Sequence, residues 1–171
     1  MEYNQLENNQ EEEKRPTFLL VLCILTFVNT GFTILGGISG MISGPPSKEE
    51  IKANNVDLAN SIEQLEKVNL EYWADVIKRI QLMTEAFYAN FVAYNAVAVF
   101  VAMAGVAAAA LMLKGKKLGF HVYIGYSFMF VLQSYLFVSA SVIPSFIVIL
   151  NLIIAGLFVL LYSRNLSWLN K

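Results

Sequence analysis

The chain has 171 residues, 57% of them hydrophobic and only 15% charged, with a formal net charge of −1 and a mean hydropathy of +0.55. A soluble domain of this size is nearer half apolar and a quarter charged, so a water-exposed globule accounts poorly for the composition. One cysteine, Cys23, and one histidine, His121, exclude an internal disulfide, a CxxC redox pair and a thiolate or histidine metal cluster; no cofactor is implied, and a lone basic turn offers no face for nucleic acid.

Residues 1–15 are polar and acidic without periodicity and read as a disordered tail. Pro16 suits the first turn of a helix, and a first span over 16–44 follows, its helix running from about Thr17 to Ser43, roughly 40 Å at 1.5 Å per residue. The apolar run is too long for a signal peptide. Gly44-Pro45-Pro46 ends it, and Ser47 with Glu50 has the spacing of a capping box that starts a new helix near Lys48. Across 45–85 the apolar residues Leu58, Ile62, Leu65, Tyr72 and Val76 form an amphipathic stripe, mostly at steps of three and four, among eight acids and five bases. No Gly or Pro lies between Ser47 and Ala104, so this helix is expected to run unbroken into a second span, 86–113. Lys114-Gly115-Lys116-Lys117 forms a tight turn, a third span covers 118–140, Ile143-Pro144 turns again, and a fourth span covers 144–162. In the tail, 163–171, Arg164 and Trp168 suit an interfacial anchor.

The fold expected is all-α: an integral membrane protein with four transmembrane helices in a bundle and a helical extramembrane extension preceding the second span. From Ala86 onward there is no Asp or Glu, and such a surface takes a lipid bilayer as its solvent. With four crossings, seven basic residues fall in short segments on one side and five in the long acidic loop on the other, which puts both termini in the cytoplasm of a multi-pass cell-membrane protein. The chain resembles the many small four-helix membrane proteins of bacteria, which implies an inner-membrane location.

Gly37-Ile38-Ser39-Gly40 resembles the GxSG of rhomboid-type intramembrane serine proteases over four residues. A serine nucleophile needs a base within hydrogen-bond reach, and four crossings hold His121 on the order of 25–30 Å from Ser39. The stretch reads better as a packing face, Gly36, Gly40 and Gly44, because helices in lipid associate where small residues let backbones approach. The second span has a matching seam, Ala98, Ala102, Gly105 and Ala109, and the third has Ser127, Ser134 and Ser141. Glu85 lies roughly 43 Å along the helix from Lys114, outside a ~30 Å core, and reads as interfacial.

Asn29, Asn95, Gln133 and Asn151 are amides at depth. Asn29 and Asn151 fall near one level, about 17 Å from the cytoplasmic ends of their helices, with Gln133 one turn further out. They read as interhelical hydrogen-bonding groups or, alternatively, as a polar waist with Tyr123 or Tyr126 nearer its cytoplasmic mouth. The outer stripe needs a cover: another copy, a complex subunit or the second outer turn. The expected function is a non-enzymatic structural or accessory subunit of a membrane complex or homo-oligomer; the alternative is a small channel or carrier whose waist is Asn29, Asn151 and Gln133.

Overall fold

The computed structural model describes residues 15–169; all but the last residue of the expected disordered tail lie outside this range, as do Asn170 and Lys171. In chain order come α1 (Thr17–Ser43), α2 (Lys48–Lys67), α3 (Glu71–Ala89), α4 (Phe91–Leu113), α5 (Lys117–Leu132), a 3₁₀ turn (Gln133–Leu136) and α6 (Ser145–Ser163). The described chain is thus all-helical, and α1, α4 and α6 are long and apolar enough to cross a membrane. The expectation of four such helices is corrected at the third. The α-helix of α5 has 16 residues and passes into the four-residue 3₁₀ turn instead of running on to Ala140. Ser134, Ser139 and Ser141 crowd this stretch, and short hydroxyl side chains favour turns over helix interiors.

The outer segment is a helical hairpin, not one continuous helix. Its start is as expected: the Glu50 backbone N–H donates to Ser47 Oγ at 3.2 Å and the Ser47 N–H donates to Glu50 Oε2 at 2.8 Å. That Ser47 N–H holds the Glu50 carboxyl below its ordinary pKa. Its break comes at Asn69, which takes φ +58°. The Leu70 N–H donates to the Leu65 carbonyl at 2.9 Å and the Asn69 N–H to the Glu66 carbonyl at 3.1 Å. Those two bonds are the Schellman motif, with Asn in the left-handed position that Gly usually fills. The chain therefore reverses, and α3 returns antiparallel to α2, with Lys78 2.8 Å from Glu66 and the Asn55 amide donating to Glu85 at 3.2 Å. A second break falls at Asn90, whose side chain donates to the Ala86 carbonyl at 3.0 Å, so α4 begins at Phe91.

Helix α4 lies between α1 and α5 and makes the bundle possible by being thin. A Cβ on Gly105 would sit 2.8 Å from Thr30 Cγ2 of α1 and 3.0 Å from Tyr126 of α5. One on Gly119, at the start of α5, would meet the Met112 nitrogen at 2.6 Å and the Ala108 oxygen at 2.7 Å. The turn between α4 and α5 is equally tight, with Gly115 at φ +74°. On α1, Gly37 and Gly40 approach α4, where Cβ atoms would meet Val99 Cγ2 at 2.6 Å and Phe91 Cζ at 3.3 Å. Gly36 and Gly44 have open space around them, so within this chain α1 packs on α4 through Gly37 and through Gly40, the one member of the expected triad that meets another helix here. A helix face turns with 3.6 residues per turn, and the observed one is offset by a residue from the three-glycine row.

Along the same contact the Thr30 hydroxyl donates to the Thr26 carbonyl at 2.7 Å and that of Thr33 to the Asn29 carbonyl at 3.0 Å. At the end of the bundle bearing Lys114–Lys117, the lysine end, Leu19, Met112, Tyr162 and Leu169 are fully buried together. Trp168 is buried in this cluster, not displayed as an interfacial anchor, because the chain after α6 folds back across the helix ends.

Two outcomes follow for stability. Gly119→Ala forces a methyl onto backbone and should destabilise the protein by about 1–3 kcal/mol, whereas Gly36→Ala should be neutral or gain up to about 1 kcal/mol of helix propensity; thermal unfolding in mild detergent measures both. At the hairpin, Asn69→Val should cost about 1–2 kcal/mol because a β-branched residue resists the left-handed conformation, while Asn69→Gly should not, read as amide hydrogen exchange at the ends of α2 and α3.

Candidate functional site

Helix α6 is seated loosely. Tyr162, near its C-terminal end, is its one buried residue. Further up, α6 stands off from α1 and α5 and leaves a cavity of about 350 Å³. Each helix contributes one face at helical spacing: Leu25, Thr26 and Asn29 from α1; Tyr123, Tyr126, Ser127 and Phe130 from α5; Asn151, Ile154, Ala155 and Phe158 from α6.

The cavity has a buried polar back, and its exposed rim is apolar but for Asn29. Thr26 and Tyr126, on the inner wall, are 4% and 8% exposed, while Leu25 and Ile154 are 49% and 47% exposed. The opening therefore lies sideways, between α1 and α6. The Asn29 side-chain amide donates to the Tyr126 hydroxyl at 3.4 Å. Asn151 lines the cavity from the middle of α6, and its side chain makes no hydrogen bond to any described residue. Below, the cavity is shut: Thr26 Oγ1 and the Tyr162 hydroxyl lie 2.8 Å apart, and the rings of Tyr123 and Tyr162 pack with centroids 4.5 Å apart. Cys23, one turn below Thr26, is buried with its thiol 3.7 Å from the Ala109 carbonyl.

The structure thus brings together two of the three waist amides. Gln133 sits in the 3₁₀ turn outside the cavity, with Oε1 buried and unpartnered among the described residues. Asn95 serves packing: its amide donates to the Phe91 carbonyl at 2.8 Å, and its Oδ1 lies 3.4 Å from where a Gly40 Cβ would stand. Ala98, Ala102, Gly105 and Ala109 are all buried within this chain. The serine row divides, since Ser127 is buried in the cavity wall, Ser134 is in the 3₁₀ turn and Ser141 is exposed beyond it. A seven-residue repeat holds one face only while the helix persists, and here the helix stops first.

The outer stripe is covered by its own chain. Leu58, Ile62 and Leu65 are half-buried in the hairpin and Val76 is buried, while Tyr72 is exposed. Helix α3 lies against the start of α6 and the connection before it: Trp73 meets Phe146, in the first turn of α6, edge-on at 5.7 Å, and Arg79 donates to the Ser141 carbonyl at 2.7 Å.

Sequence reasoning did not find the Thr26–Tyr162 pair. The available signal was Thr26, Asn29, Thr30 and Thr33 at steps of three, one and three, a polar row along an otherwise apolar helix. No charged residue lines the cavity. Ser127 has no base beside it there, and exposed His121 belongs to the lysine end, next to Phe120 of the buried cluster there. Ser39 is exposed about 30 Å along α1 from Leu19 of that same cluster, which separates it from His121. Among the described residues no three His, Cys, Asp or Glu side chains group as metal ligands. Comparison of the chain with known protein families, curated proteins and solved structures returns no match.

The Thr26–Tyr162 contact has a direct test. Tyr162→Phe should cost about 0.5–1.5 kcal/mol, and adding Thr26→Val should cost little more, because both partners are then gone and no buried hydroxyl is stranded. A double-mutant cycle on thermal unfolding in detergent reads the coupling.

Proposed function

We propose that this is a non-enzymatic, multi-pass cell-membrane protein with four crossings and cytoplasmic termini, a binding subunit that holds a lipid-soluble molecule in the cavity between α1, α5 and α6. The observation that carries this reading is Asn151: an amide within a 19-residue apolar helix, lining a cavity and hydrogen-bonded to no described residue. An unpaired amide in hydrocarbon costs several kcal/mol, so a chain retains one where something else completes it.

Four crossings are supported by length. The 16 residues of α5 rise about 24 Å and the four of the 3₁₀ turn about 8 Å, close to the ~30 Å of a bilayer core. The outward faces of α1 and α6 carry Phe32, Leu35, Ile42, Ile153, Leu157 and Leu160, all exposed, and acyl chains cover such surfaces without cost. The basic turn at Lys114–Lys117 supports cytoplasmic termini. The closed lower end argues for a binding site over a pore, since Leu19, Met112, Tyr162 and Leu169 leave no route past the Thr26–Tyr162 bond.

The α4 seam is occupied within the chain and most of the outer stripe is at least half-buried there, which leaves Gly36, Gly44, Tyr72 and Ser141 as the small or stripe residues open to another copy. Assembly through α6 is a second reading, supported by its nearly bare surface and by the open space around Gly156.

The test is organic extraction of protein purified in mild detergent from native membranes, followed by mass spectrometry. A hydrophobic compound near one per chain, lost in Asn29→Leu with Asn151→Leu, is the expected result. Protein that carries no such compound, or liposomes showing solute flux that the same two substitutions abolish, would overturn the binding reading.

A further inference from the structure

Resting on that reading, we infer that the ligand is an apolar chain ending in an uncharged group that both donates and accepts a hydrogen bond, a hydroxyl or a primary or secondary amide, inserted head first between α1 and α6. Three observations combine to select this class.

The first is charge. No Asp, Glu, Lys or Arg lines the cavity, and its back wall is built from Thr26, Tyr123, Tyr126 and Ser127. A carboxylate, phosphate or ammonium would enter without a counter-charge in a low-dielectric setting, which costs far more than neutral hydrogen bonds return.

The second is depth. Asn29 and Asn151 are each about 18 Å along their helices from the lysine end, near the middle of a ~30 Å hydrocarbon core. A phospholipid keeps its charged head at the interface and cannot bring it to this level. A long-chain alcohol or amide carries a polar group cheap enough to leave the interface and reach it.

The third is hydrogen-bonding valence. The Asn151 amide offers two donors and one acceptor with no partner in the described chain. A ketone or ester accepts only and would leave its carbonyl oxygen unmet. A hydroxyl or N–H amide meets both functions at once. The sideways mouth, flanked by Leu25 and Ile154, then receives the apolar remainder, and about 350 Å³ is room for a head and the first part of a chain.

The experiment is photolabelling of the full chain in nanodiscs with four probes: one C16 chain bearing a diazirine near its head, ending in a primary alcohol, a primary amide, a carboxylate or a trimethylammonium. Labelled peptides are mapped by mass spectrometry. Labelling of α5 and α6 residues around the cavity by the alcohol and the amide, about tenfold or more above the charged probes and reduced about tenfold by Asn151→Leu but not by Asn151→Gln, is expected. Equal labelling by all four heads, or labelling indifferent to Asn151→Leu, would overturn the ligand class and leave a lipid-filled cavity. Absence of cavity labels from every probe would overturn the binding reading itself.

Discussion

The close approach of α4 to its two neighbours is the contact on which the rest of the bundle depends. On the membrane reading, Leu–Leu contact offers two helices no more than lipid offers, and association then rests on dispersion between backbones brought near by small side chains. Helix α4 presents Ala98, Ala102, Gly105 and Ala109 inward, and α1 and α5 answer with Gly37, Gly40 and Gly119. What this three-helix unit lacks is a fourth tight partner. Helix α6 carries large residues almost throughout, is gripped at its lysine end by Tyr162 and the folded-back tail, and so stands apart higher up. The cavity results from three helices packed through small residues and one that is not.

The outer hairpin belongs to the same economy. Most of its apolar stripe is used between α2 and α3, while Trp73 fastens α3 to the first turn of α6 and Arg79 fastens it to the connection before that helix. At the joint of α3 and α4, Phe87 stacks on Tyr94 at 4.2 Å, and Tyr94 meets Phe137 edge-on at 5.7 Å. The hairpin is thus bound to both helices that frame the upper part of the bundle.

Much of this was legible residue by residue. Gly44-Pro45-Pro46 and the Ser47/Glu50 box locate the end of α1 and the start of α2, because Pro and a reciprocal cap act locally. The shared level of Asn29 and Asn151 along their helices follows from counting residues, and the structure places both on one cavity. Other features were hidden for physical reasons. Asn69 is compatible with a helix interior and with a left-handed cap, and only the packing of α3 back onto α2 decides between them. The choice of Gly37 over Gly36 depends on the rotation of α1 about its axis, for which the one mark in the sequence is the row Thr26, Thr30 and Thr33, in line with Gly37 at steps of four, three and four. The halt of α5 near Leu132 is a weak signal too, since Gln133 and Ser134 alone do not break a helix.

One consequence concerns how such a chain is made. The main partner of α1 is α4, and the two are separated by the whole hairpin, about 50 residues that take several seconds to synthesise at roughly 5–20 residues per second. On the four-crossing reading, α1 waits alone in the lipid for that interval with hydroxyl groups on the side that will later be covered. Thr30 and Thr33 already donate to carbonyls one turn back in the same helix, so neither needs α4 in order to be at rest in hydrocarbon. Along the side that meets α4 the first helix is a self-sufficient passenger, and the polar groups it leaves waiting are Thr26 and Asn29, which meet Tyr162 and Tyr126 only when α6 and α5 arrive.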